Sequence, residues 1–165
     1  MTAVPRLHRR ALLGGLVSVG DVGDARAAAV GEDGLYRAAW FLESFLDLAD
    51  DLAAASEAGK RLVVAWELRG CPACKATHEV TLADPQVVAY LTRHFEFVQL
   101  DIIGARPVTF PDGDRRPEKA QARRLGVTGT PTFQVFDASG ERGRLEGFHP
   151  PAPFLDFFRG HAARA

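Results

Sequence analysis

Cysteine is scarce in this chain. Of its 165 residues only two are cysteines, Cys71 and Cys74. So few thiols exclude a scaffold built on a disulfide framework, and a chain of this length needs none to bury a core. An excess of one charge is lacking too. The formal net charge is -1, which removes the basic surplus of a nucleic-acid binder and the acidic tail that would seek a basic partner. No nucleic-acid partner is therefore expected. No run is long and apolar enough for a membrane span, and there is no internal repeat or low-complexity tract. What remains is one soluble globular domain with an appendage.

The appendage is N-terminal. Residues 5–20 read P-R-L-H-R-R-A-L-L-G-G-L-V-S-V-G. Arg6, His8, Arg9 and Arg10 form a basic start, Ala11 to Gly20 an apolar stretch, and D-V-G-D-A-R-A-A-A a stretch of small residues suited to cleavage after Ala27 or Ala29. That is the regional order of a secretory signal, and Arg9-Arg10 before Ala-Leu-Leu has the look of a twin-arginine signal. The expectation is an export signal over residues 1–29 and a periplasmic mature protein, in a compartment where disulfides form and persist.

Further along, Trp40, Phe41, Phe45, Leu48 and Leu52 recur at helical spacing. They predict a helix from Leu35 to Ala58, stopped by Gly59. R-L-V-V-A-W-E, residues 61–67, reads as a buried strand. After the turn at Gly70 the segment C-P-A-C opens a helix, with Pro72 suited to its first turn. Asp84-Pro85 starts another helix, and residues 95–102 alternate as a strand. Residues 103–116 read as a loop or small hairpin. Pro117 opens a helix stopped by Gly126. Residues 132–137 are a strand, A-S-G-E a hairpin turn, R-G-R-L-E-G-F its partner, and a helix follows from Pro153. Alternating strands and helices, then a hairpin and helix, imply an α/β fold: a central mixed sheet flanked by helices.

The two thiols admit four readings. A zinc site built on C-x-x-C wants a second pair of ligands, although Cys71, Cys74 and His78 could lie close on one helix. Covalent haem attachment wants His directly after the second Cys, where Lys75 stands. An inert staple closing so short a loop removes little chain entropy. An exchange centre needs one accessible and one sheltered thiol, and C-x-x-C at a helix start supplies both. The first sulfur sits among unpaired N–H groups that favour an anion, which lowers its pKa. Cys71 is then the nucleophile and Cys74 the resolving thiol. His78 and Lys75 read as solvated helix residues.

The second element is V-T-G-T-P-T-F, residues 127–133. Pro131 cannot continue a strand ladder. It is either an ordinary turn proline or, in cis geometry, a tight turn beside the thiols. The latter could receive an extended substrate segment by strand addition. Pro72, Ala73, Thr130 and Pro131 are the candidate substrate-contacting residues.

With C-P-A-C-K and a Thr-Pro about sixty residues on, roughly residues 60–161 resemble the thioredoxin superfamily. In that family the proline matching Pro131 is cis and lies beside the disulfide. A narrower likeness runs from about Phe41 to Phe158. It rests on F-L-E-S-F-L-D-L-A-D-D-L, G-K-R-L-V-V, E-x-x-G-C-P-A-C-K, D-P-Q-V-V-A-Y-L, V-Q-L-D-I-I-G-A-R-P-V-T-F, E-K-A-Q-A-R-R-L-G-V-T-G-T-P-T and G-F-x-x-P. These motifs resemble SoxW-type periplasmic thioredoxins of bacterial sulfur-oxidation systems. The resemblance implies an exported thiol–disulfide oxidoreductase, with a linker and N-terminal helix over 30–59 and a thioredoxin-like domain over 60–165. It also implies service to a sulfur-oxidation partner and no cofactor or metal.

Two departures bear on mechanism. The dipeptide between the thiols is Pro-Ala rather than Gly-Pro. The buried Asp that ordinary thioredoxins carry six residues before the first Cys is replaced by Ala65. Glu67 either turns inward as a substitute proton acceptor or faces solvent at the strand end. The expected reaction is attack by the Cys71 thiolate on a protein disulfide, then resolution by Cys74 with help from Glu67. An exported reductase draws electrons from a transmembrane thiol carrier of the DsbD or CcdA type. The rivals are a dithiol oxidase and a metal- or peptide-binding module without catalysis. The inserted helical domain of DsbA-like oxidases has no room between Asp101 and Pro117.

Overall fold

The strand Arg61–Glu67 (β3) organises the molecule: all of it but Arg61 is buried. Such a β-branched, apolar run suits a strand covered on both faces. In the computed structural model, which describes residues 29–163, β3 pairs in parallel with Phe95–Asp101 (β4) and antiparallel with Thr132–Asp137 (β7). Gly140–Glu146 (β8) pairs antiparallel with β7, giving a four-stranded mixed sheet in the order β4-β3-β7-β8. The expected α/β architecture, a central mixed sheet flanked by helices, is what forms.

The alternation of β3 divides the core. Leu62, Val64 and Trp66 face one layer, with Leu48 and Leu52 of α1 (Leu48–Glu57) and Ala122 of α4 (Glu118–Arg124). Val63 and Ala65 face the other, with Val87 and Leu91 of α3 (Pro85–His94) and Phe154 and Phe158 of α5 (Pro151–His161). The helix punctuation acts locally as expected. Asp84 accepts hydrogen bonds from the Gln86 and Val87 N–H groups at 2.8 and 3.1 Å. This satisfies donors the helix leaves free, and Pro85 occupies a position where its missing N–H costs nothing. The hairpin expected within 103–116 is present as Pro107–Thr109 (β5) against Arg115–Pro117 (β6). The late partner strand and last helix each begin two residues before their expected starts, at Gly140 and Pro151.

The helix expected from Leu35 to Ala58 forms only in its second half. Ala29–Val30 (β1) and Tyr36–Arg37 (β2) pair instead as a short antiparallel hairpin. An irregular segment then leads to α1. Asp47 ends that segment as an N-cap: its carboxylate accepts from the Ala49 and Asp50 N–H groups. Just before it, Leu46 takes a left-handed φ of 64° and donates its N–H to the Ser44 hydroxyl oxygen at 2.8 Å. The helical spacing of the aromatic residues misleads because they serve different partners. Trp40 and Phe41 pack on Phe97, whereas Phe45 is fully exposed at 103%. The export signal expected over 1–29 lies, except for Ala29, outside the described residues. No described helix is long and apolar enough to cross a membrane.

Candidate active site: a disulfide at a helix start

β3 ends at Glu67, and Gly70 turns the chain with φ 71°, a conformation glycine adopts without a Cβ penalty. The turn delivers Cys71 as the N-cap of α2 (Pro72–Ala76). Cys71 and Cys74 are joined as a disulfide, their Cα atoms 5.2 Å apart. The asymmetry expected of an exchange pair is modest but in the right sense: Cys71 is 7% exposed and Cys74 0%. Pro72 is exposed and Ala73 half-buried beside the bridge, whereas Pro131 is buried and Thr130 half-buried.

The Cys74 backbone N–H points at Cys71 Sγ, at 3.0 Å. A second donor comes from across the molecule. The Thr130-Pro131 peptide is cis, and Thr130 Oγ1 donates to Cys71 Sγ at 3.3 Å, with the Thr130 carbonyl oxygen 3.6 Å from the same sulfur. Two donors converging on one sulfur are what a thiolate leaving group or nucleophile requires. The Pro131 carbonyl accepts from Gly147 N–H at 2.8 Å, which ties this turn to the end of β8. Of the candidate substrate-contacting residues, Thr130 and Pro131 thus come from a second segment to meet Pro72 and Ala73.

Glu67 resolves the alternative left open by the sequence: it turns inward and is 1% exposed. Its partner corrects an expectation. His78 is not solvated but also 1% exposed, and its Nε2 lies 2.6 Å from Glu67 Oε1. The reason is a change of helical geometry. After α2 the chain widens into a π turn over Thr77–Thr81, and such turns commonly mark functional sites. Thr77, His78 and Thr81 are all buried there, while Glu79 and Val80 face outward. Lys75 is half-exposed and 3.8 Å from Glu79, as a surface helix residue. Strand parity could have placed Glu67 inward, since it shares a face with Val63 and Ala65. Nothing local in K-A-T-H-E-V-T announces the π turn that buries His78. Trp66 was also missed as a polar anchor: its indole N–H donates to Gln134 Oε1 at 2.6 Å inside the sheet's other face. Among the described residues no cluster of three or more His, Cys, Asp or Glu side chains could hold a metal ion.

Comparison with known proteins agrees with this geometry. Residues 48–161 match the family model described as a thioredoxin-like domain. The chain is 33% identical over 113 residues to the thiol:disulfide interchange protein DsbD of Vibrio vulnificus, an alignment covering 67% of this chain and 17% of that one. It therefore spans about a sixth of the curated relatives it matches. Among solved structures, a thioredoxin from Thermus thermophilus superposes with a TM-score of 0.53 at 28% identity, covering 70% of this chain and 84% of that one. The C-terminal domain of Neisseria meningitidis DsbD in its oxidised form shares the fold with a TM-score of 0.51 at 22% identity, over 73% of this chain and 100% of that domain. This chain belongs to the thioredoxin-like domain family, and its C-x-x-C pair is closed as a disulfide at a helix start.

Proposed function

We propose that this protein is an exported, thioredoxin-like reductase of protein disulfides, working in the periplasm alongside a sulfur-oxidation system. The observation that carries the reading is the Cys71–Cys74 bridge at a helix start, with Thr130 of the cis-proline turn hydrogen-bonded to Cys71 Sγ. In the reduced protein the Cys71 thiolate attacks a substrate disulfide, one substrate sulfur leaves, and a mixed disulfide forms. Cys74 gives up its proton and attacks Cys71 Sγ, which closes the bridge and releases the second substrate sulfur. Two electrons pass from the thiol pair to the substrate. The turn at Thr130-Pro131 offers an extended substrate segment a place beside Cys71, with Pro72 and Ala73 on the other side.

Outside the cytoplasm the pair must be reduced again. A transmembrane thiol carrier of the DsbD or CcdA type fits that need, and the relation to the thiol:disulfide interchange protein DsbD supports the same chemistry. The basic, apolar, small-residue order of residues 1–29 supports export. The SoxW-like motifs point to a cysteine of a sulfur-oxidation protein as the substrate.

The test is the reduction potential of the couple in glutathione buffers. A value near or below about -250 mV supports a reductase, by comparison with thioredoxin, whereas one above about -150 mV reverses the direction to an oxidase. A Cys74→Ser variant expressed in the periplasm should hold its substrate as a mixed disulfide. Recovery of a sulfur-oxidation protein in that adduct supports the partner, and its consistent absence refutes it.

A further inference from the structure

The Glu67–His78 pair has no structural task that explains its chemistry. Both side chains are 1% exposed, and burying two ionisable groups costs more than burying apolar ones of the same size. Each also keeps an unspent polar atom: Glu67 Oε2 and His78 Nδ1 are buried without a hydrogen-bond partner. Cys74, 0% exposed, precedes His78 by four residues on the same run of helix. Four residues is close to one turn in either the α or the wider π geometry, so His78 follows Cys74 on the same side of that run.

A buried thiol that must ionise needs a nearby acceptor, since burial disfavours the thiolate. It also needs charge compensation, because an isolated anion in that setting is costly. We propose that His78 and Glu67 act as one proton-holding unit for the resolving step, with His78 as the residue that lets Glu67 accept. This rests on the exchange chemistry proposed above. With one proton between them the pair is neutral overall. When Cys74 ionises, its proton enters the pair, now two protons and net positive beside the new thiolate. The three groups together stay neutral throughout. The Cys74 sulfur then forms its bond to Cys71 Sγ as the Cys71–substrate bond breaks, and the departing substrate thiolate takes the extra proton directly or through solvent. The pair returns to one proton. Without the imidazole, the added proton and the new thiolate would have only the carboxyl to share them, with its second partner lost.

The other charged groups nearby are occupied elsewhere. Asp101, beside Glu67 on β4, lies 3.6 Å from Arg69 and accepts from the Ile103 N–H. Lys75 and Glu79 face each other at the surface. From β2 and the segment after it, Tyr36 and Phe41 set their rings 5.9 and 5.8 Å from the imidazole. Asp156 and Arg159 of α5 pair with one another at 3.1 Å, and His149 is exposed with its ring nitrogen on the Glu146 carbonyl.

The experiment is stopped-flow reaction of the reduced full chain with a chromogenic aromatic disulfide across a range of pH. The first thiolate released reports Cys71 attack, the second reports Cys74 resolution. In His78→Gln and Glu67→Gln the second phase should slow at least tenfold at neutral pH and shift its profile to alkaline pH by about one unit, within the range of general-base effects. The first phase should stay within about threefold. Unshifted second phases in both variants overturn the inference while leaving exchange intact. No second release from the wild type overturns the exchange reading itself. Should either variant fail to fold, the wild-type His78 imidazole is titrated by NMR in the oxidised and reduced states. A difference between the states supports the unit, and identical curves refute it.

Discussion

Thr130→Val isolates one hydrogen bond at the reacting sulfur. Valine keeps the β-branched shape and removes the hydroxyl that donates to Cys71 Sγ at 3.3 Å. The Cys74 N–H at 3.0 Å is untouched, so the variant retains one of two donors. A hydrogen bond to an ionised group contributes about 1.5–3 kcal/mol. This one is long and Thr130 is only half-buried, which places it just below that range, at about 1.4 kcal/mol, or one pKa unit. The Cys71 pKa in the reduced protein should therefore rise by about one unit. Thiolate stabilisation favours the reduced form, so its loss should make the couple more reducing by up to about 30 mV where Cys71 is ionised. The assay is the pH dependence of Cys71 alkylation, run beside the glutathione equilibrium. Thr130→Ser, which restores the hydroxyl, should recover most of both effects. A Thr130→Val protein with native melting and an unmoved alkylation profile would refute the assignment of Thr130 as a thiolate donor.

Two further tests address the frame around the site. A Cβ on Gly104 would run into Glu118 Oε2 and meet its Cδ at 2.6 Å. Glu118 is buried and accepts from the Asp101 and Arg106 N–H groups and the Arg106 guanidinium, the last of which raises the Arg106 pKa. Gly104→Ala should displace this carboxylate at a cost of about 3 kcal/mol, the low end for breaking a buried pair because Arg106 is partly exposed, and lower Tm by about 10 °C. A melting point within about 2 °C of wild type would show that Glu118 relocates freely. At Asp137, burial alone would raise the carboxyl pKa, but the Ser139 hydroxyl and N–H and the Arg142 and Arg61 guanidiniums bring it below the ordinary value. A depressed carboxyl contributes stability above its unfolded pKa and loses it as pH falls through the folded value. Asp137→Asn should therefore cost about 1 kcal/mol at neutral pH, measured by urea unfolding, and progressively less as pH falls below 3.8 toward the folded value. An equal cost at both ends of that window would rule out the carboxylate's charge as the source.

The sheet and the thiol site were legible where the chemistry is local. R-L-V-V-A-W-E has one way to be buried, Asp84-Pro85 caps its own helix, and C-P-A-C after a strand and glycine opens one. The Thr130 contact with Cys71 spans 59 residues. From the residues alone it is one of two readings of a Thr-Pro turn; the family resemblance is what sets that proline, in cis, beside the disulfide. Two regions failed for different reasons. Between Leu35 and Asp47, apolar spacing of three and four imitates helical periodicity, although Asp47 followed by L-A-D-D is itself a helix-start pattern. At His78 the error was one of burial: a histidine between Thr77 and Glu79 reads as surface until the π turn rotates it beneath the sheet end.

The irregular stretch before α1 closes an edge. β4 is the outermost strand on its side, and its Phe97 carbonyl is met by the Leu42 N–H at 2.8 Å while Gln99 Nε2 reaches the Tyr36 carbonyl at 2.5 Å. The family's match begins at residue 48, after all of this. A chain cut at that boundary would keep every residue of the thiol site yet bare an apolar strand margin to any passing strand. It would also lift Tyr36 and Phe41 from the imidazole beneath them. For this molecule the region that matches the family and the unit that covers both the β4 edge and the Glu67–His78 pair differ by some twenty residues, the span from 29 to 47.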